Sequence, residues 1–202
     1  MIVTRADAEA AQYWQGRGLY GLARAELALG QTARARASAA RFASIARAYP
    51  SLKNTDDVVP DTTVLAGLLS LADRRPAVAQ ASFLGALRAN GYFEGKRRTR
   101  LRPVVLLVGE TALALGQTAV ALEYAHAAVT SATVDSLAEQ RSGWVGQARL
   151  LEARARLATG DSSAARAAAK AAVRALTVGV GADHPLTLAA RALIASLQPV
   201  TP

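Results

Sequence analysis

The chain has 202 residues, 51% hydrophobic but only 5% aromatic, with a formal net charge of +9 and no cysteine. The missing cysteines exclude disulfides, thiolate zinc sites and a cysteine nucleophile. No uninterrupted apolar run approaches the ~18 residues that a spanning helix needs, because Val104 to Val108 is cut short by Gly109-Glu110.

Much of the apolar content is alanine, the strongest helix former, so an all-α chain is expected. The basic excess invites a nucleic-acid or acidic partner. Only three basic residues are lysines (Lys53, Lys96, Lys170), however, and the arginines are scattered among alanines, a composition that a GC-rich genome also produces.

Thr4 with Asp7 resembles a capping-box start, and the pattern predicts a helix to Leu29 that stops at Gly30. Inside it, Gly16-Arg17-Gly18-Leu19-Tyr20-Gly21 has the form G-x-G-x-x-G. A dinucleotide site needs a preceding strand, and Ala8 to Gln15 reads as helix, so these glycines are expected to permit close helix approach. A second helix runs from about Thr32 to Tyr49, with Ala35, Ala39, Phe42, Ile45 and Ala46 forming one apolar stripe, and ends at Pro50. The connector 51–60 is polar. Its Asp56 and Asp57, with Asp61, lack the ligand order and turn glycine of a cation loop, and Asp61 is expected to cap the next helix.

Asp61–Ala72 then pairs with Pro76–Asn90, proline standing at a helix start. Lys96, Arg97, Arg98, Arg100 and Arg102 form the densest charge in the chain, just after Tyr92 and Phe93. They suit either a phosphate-contacting patch with stacking aromatics or a solvated connector. Pro103–Leu115 pairs with Thr118–Thr130, where His126 is expected to be a packed or surface residue. Ser136-Leu137-Ala138-Glu139 has capping-box form, and Leu137, Arg141, Trp144, Ala148, Leu151, Ala155 and Ala158 share one helical face behind it. Gly160-Asp161 turns the chain into a helix from Ser162 to Val178, and a last helix from about His184-Pro185 to Leu197 caps the array.

One stretch organises these elements. Leu27-Ala28-Leu29-Gly30-Gln31-Thr32-Ala33 returns letter for letter as Leu113-Ala114-Leu115-Gly116-Gln117-Thr118-Ala119. Leu157-Ala158-Thr159-Gly160-Asp161 is a weaker copy, and Leu69-Ser70-Leu71-Ala72-Asp73 a degenerate one. Gly30, Ala72, Gly116 and Gly160 are then separated by 42, 44 and 44 residues, the period of stacked helical hairpins.

Gly30 with Ala35, Gly116 with Ala121, and Gly160 with Ala165 resemble the turn glycine and later alanine of the tetratricopeptide repeat. In the second unit Ala72 and Ala77 take those places. Ala39 and Phe42, Ala81 and Leu84, Ala125 and Ala128, and Ala169 and Ala172 fit the later small or apolar positions. The long period, and Gly181-Ala182-Asp183-His184-Pro185, resemble the repeats of kinesin light chains. The resemblance implies a right-handed α-solenoid of about four antiparallel hairpins (units about 4–50, 61–91, 96–131 and 136–178) with a cap at 184–198, in a single domain over 1–202. It also implies a protein-interaction scaffold of the kind found in bacterial signalling proteins. A peptide or helix would bind in its concave groove, lined by Arg17, Tyr20 and Arg24, by Glu110, and by Gln147 and Arg154.

The alternative is a nucleic-acid-binding helical repeat using its basic surface. An enzyme, a cofactor and a metal site are not expected: no histidine pair has ligand spacing and no nucleophile–base pattern is visible. The start, Met1 to Asp7, has no signal-peptide core and runs at once into helical pattern, as a fragment of a longer protein would; a cytoplasmic setting is expected.

Overall fold

The computed structural model describes residues 5–49, 62–94, 101–132 and 142–197. Among them the chain is all-helical: α1 (Arg5–Ala28), α2 (Thr32–Ala48), α3 (Thr62–Ala72), α4 (Pro76–Ala89), α5 (Arg102–Ala114), α6 (Thr118–Ala132), α7 (Gly143–Ala158), α8 (Ser162–Gly179) and α9 (Pro185–Ser196). Internal contacts divide it into two units, Met1–Asn90 and Gly91–Pro202. No described helix is long and apolar enough to cross a membrane.

Four turns of one construction join α1 to α2, α3 to α4, α5 to α6 and α7 to α8. Each places a single residue in the left-handed region: Gly30 (φ 72°), Arg74 (57°), Gly116 (73°) and Gly160 (82°). The amide of that residue donates to the carbonyl three residues back, and the next amide to the carbonyl five back, as in Gly30 N to Leu27 O and Gln31 N to Glu26 O. The other turns repeat the pair, all at 2.8 to 3.0 Å. These are Schellman caps, which satisfy carbonyls that a helix end would otherwise leave bare.

The second turn corrects the sequence reading. The left-handed residue is Arg74, not Ala72, so the repeat unit is Leu71-Ala72-Asp73-Arg74-Arg75 and the spacing becomes 44, 42 and 44. The enclosed small residue five positions later is therefore Ala79 and not Ala77. Ala35, Ala79, Ala121 and Ala165 are all fully enclosed, whereas Ala77 is exposed. Likewise Phe83 and Ala86 hold the later packed positions, and Ala81 and Leu84 do not. A glycine is the usual mark of a left-handed cap because L side chains resist that conformation. Here Asp73 holds the turn from outside: its carboxylate accepts from Arg36 on α2 and from Arg75, the latter at 2.7 Å.

In the first unit Leu19, Tyr20 and Ala23 of α1 pack on Phe42 and Ala46 of α2 and on Leu65 of α3. Gly67 of α3 receives the Phe83 ring of α4; a Cβ there would lie 2.4 Å from the ring. Glu26, buried in the α1–α2 seam, accepts from the Ser38 hydroxyl at 2.8 Å and pairs with Arg34 at 3.4 Å.

In the second unit Gly109 of α5 receives Leu151 of α7, and Gly146 of α7 receives Leu176 of α8, each with a virtual Cβ only 2.5 Å from the leucine. Leu150 with Ala172, Leu176 and Ala190 ties α7, α8 and α9 into one cluster.

Helix starts are local. Ser142 caps α7, its hydroxyl accepting from Val145 N, and Asp161 caps α8 by accepting from Ala164 N at 2.9 Å. Thus α7 begins at Gly143, just after its cap Ser142; the Ser136–Glu139 motif, Leu137 and Arg141 lie outside the described residues, as do Thr4, Asp56, Asp57 and Asp61. His184 Nδ1 accepts from Leu186 N at 3.2 Å, ahead of Pro185 in the first turn of α9. The G-x-G-x-x-G stretch lies wholly inside α1, without a strand or turn. Gly18 and Gly21 face open space, so close helix approach is not their role.

Candidate functional site

In each unit the first helices of successive hairpins touch one another, α1 against α3 and α5 against α7. Side-by-side first helices make a wall. The six residues expected to line it fall into two groups, one on each unit.

On α1, Arg17, Tyr20 and Arg24 are spaced three and four apart and so share a face. Tyr20 is only 9% exposed, however, and its ring meets Phe42 edge-on at 5.8 Å. Its bulk is a core contact, not a wall feature. Arg24 remains exposed, its guanidinium 5.7 Å from the centre of the Tyr20 ring. Arg17 lies 5.6 Å from the centres of both the Tyr13 and Trp14 rings, and donates to the Tyr13 hydroxyl at 2.8 Å. Trp14 is 65% exposed. The result is a ridge of stacked aromatic and guanidinium groups. Tyr13 and Trp14 were missed in the sequence, although they stand four and three residues before Arg17, the spacing that stacks side chains on a helix.

On the second unit, Glu110 of α5 and Arg154 of α7 are exposed and Gln147 of α7 is half-buried. Glu110 has an unusual setting. Water reaches it, yet the surrounding protein atoms desolvate it enough to push its carboxyl above the usual range, with the positive charge of Arg154 pulling the other way. The pair offers a carboxylate acceptor and a guanidinium donor on neighbouring helices, which suits the polar backbone of an extended peptide.

Of the basic cluster, Lys96, Arg97, Arg98 and Arg100 lie outside the described residues, and Arg102 is half-buried in the first turn of α5. Among the described residues no three histidine, aspartate or glutamate side chains gather as a metal site requires.

No protein-family model matches the chain, and no curated protein matches it significantly.

Proposed function

We propose that this chain is a protein-interaction scaffold: a right-handed α-solenoid of about four tetratricopeptide-like hairpins with α9 as its end cap. It binds a peptide or helix of a partner protein along the wall of first helices. The observation that carries the reading is the contact of first helix with first helix in each unit, joined to the exposed Glu110 of α5 within reach of the positive charge of Arg154 on α7. The four equivalent turns, 44, 42 and 44 residues apart, support it further, because repeated hairpins bury their apolar faces only by stacking. Fixed charges on a rigid wall orient an extended ligand at little entropic cost.

The test is affinity capture from cell lysate, with and without nuclease, using the wild type and a double variant, Glu110→Lys with Arg154→Glu. A nuclease-resistant protein bound by the wild type and lost by the variant is expected. A partner held equally by both would remove the α5–α7 wall from the account. Capture abolished by nuclease would replace the reading with nucleic-acid binding centred on Lys96–Arg102.

A further inference from the structure

The second unit carries a concavity beside α6, and one of its lining residues, Tyr124, also packs close to Gly109 of α5. It is a half-open cavity of about 360 Å³ between the 91–94 turn and α6, lined by Tyr92, Phe93, Glu123, Tyr124, His126, Ala127 and Thr130. The helix builds one side: Glu123, Ala127 and Thr130 succeed one another at helical spacing, with Tyr124 beside Glu123. The turn builds the other, Tyr92 and Phe93 standing perpendicular with ring centres 5.4 Å apart.

The chemistry of the lining is one-sided. The rings of Tyr92, Phe93 and Tyr124 and the imidazole of His126 line it and Glu123 supplies a carboxylate, while no lysine or arginine is among the described lining residues. Burial pushes the Tyr124 phenol upward, and the negative charge of Glu123 and then the Tyr92 phenol push the same way. An anion would meet the carboxylate. A neutral apolar guest would make no use of the Glu123 carboxylate. In a chain of net charge +9, the described lining thus offers a carboxylate and aromatic faces.

We propose that this cavity binds an arginine side chain of a partner protein, its guanidinium stacked among Tyr92, Phe93 and Tyr124 and paired with Glu123. A planar guanidinium suits ring faces and a carboxylate fork better than a compact ammonium does. The molecule already makes this contact within itself, with Arg17 over Tyr13 and Trp14 and Arg24 over Tyr20. The cavity volume falls at the small end of ligand sites, about 300 to 1,000 Å³, which fits a single long side chain. The site rests on the scaffold reading only for the source of the arginine, and a small-molecule probe tests the cavity apart from the wall.

Nα-acetyl-arginine amide is titrated into the 15N-labelled protein, with acetyl-citrulline amide as the uncharged isostere, acetyl-lysine amide and adenosine monophosphate alongside. Expected are saturable shifts confined to the amides of Tyr92, Phe93, Glu123, Tyr124 and Ala127, with citrulline weaker by about tenfold. Glu123→Gln and Phe93→Ala, both at exposed positions and checked for unchanged circular dichroism, each weaken binding by a similar factor. Equal binding of citrulline, tighter binding of lysine, preference for the nucleotide, or no saturable shift at these residues would each overturn the assignment. So would concentration-dependent self-association abolished by Phe93→Ala, which would give the cavity to an arginine of a second copy.

Discussion

The two units build the same hairpins with different side chains. In the first unit a phenylalanine stands in each second helix: Phe42 lies twelve residues past Gly30 and Phe83 nine past Arg74, both enclosed. In the second unit all four of the corresponding positions are alanines, namely Ala125, Ala128, Ala169 and Ala172. The bulk has moved to Leu151 on α7 and Leu176 on α8. What the units share is the receiving hole: Gly67 for Phe83, Gly109 for Leu151 and Gly146 for Leu176. At these three places a glycine on the facing helix makes room for the large residue, whereas Phe42 packs on Leu19, Tyr20 and Ala23. This is how a core stays close-packed without a uniform sequence.

The comparison breaks most visibly at Phe83. Phe83→Ala should cost about 3 to 5 kcal/mol, because a fully enclosed ring leaves a cavity against Gly67 that the helices close only in part. Denaturant unfolding measures it, and a loss below 1 kcal/mol (well under the ~3 kcal/mol floor for such a deletion) would mean that α3 and α4 are not packed as described.

Next in size is a contrast between two glycines. Gly146→Ala should cost about 1 to 3 kcal/mol, since its Cβ would lie 2.9 Å from the Leu176 backbone nitrogen as well as against the leucine side chain. Gly18→Ala should instead stabilise α1 by about 0.5 to 1 kcal/mol, because its Cβ points into open space in a helix interior. Equal effects would contradict the assignment of one as a hole and the other as plain surface.

The turns sharpen the equivalence of the hairpins. Gly116→Val should lower stability by about 1 to 2 kcal/mol, the cost of a left-handed conformation for a side chain, while Arg74→Gly should gain somewhat less than that. A destabilising Arg74→Gly would show that the arginine side chain, rather than its backbone, holds the second turn.

The smallest effects depend on pH and have opposite signs. Arg36 and then Arg75 hold the Asp73 carboxyl below its usual 3.8. Its contribution is present above that value and is lost as the pH falls through the lower folded value, so the Tm gap between wild type and Asp73→Asn should shrink between pH 5 and pH 2. Glu110 is displaced upward from 4.5, so its ionisation opposes folding as the pH rises through the folded value. Glu110→Gln should therefore match the wild type at pH 3 and melt slightly higher at pH 7, and a lower Tm at pH 7 would reverse the assigned cause.

Much of the fold is legible in the sequence alone. Three turns announced themselves through Gly30, Gly116 and Gly160, and Pro76, Pro185 and Asp161 marked helix starts, because each device acts within a few residues of itself. The second turn was misread by two residues for want of a glycine. A Leu-Ala pair stands three and two residues before the left-handed residue of every hairpin turn, but the same pair lies inside α1 at Leu22-Ala23 and inside α3 at Leu65-Ala66, so it does not place a turn by itself. The wall was legible only as a set of polar residues at helical spacing. That pattern could not tell Tyr20, which is buried on Phe42, from Arg24, which lies over its ring.

The sequence by itself thus determined which segments are helical, where most of them stop, and that the unit repeats, since hydrogen bonding along the chain and side-chain propensity are local quantities. Only the tertiary structure decided that Arg74 would take a left-handed conformation, that Glu110 would be both wet and desolvated, and that Tyr92 and Phe93 would meet α6 around a cavity. Each of these depends on atoms brought together from distant parts of the chain, through an ion pair from α2, a crowded helix wall or an aromatic contact. No local pattern encodes them.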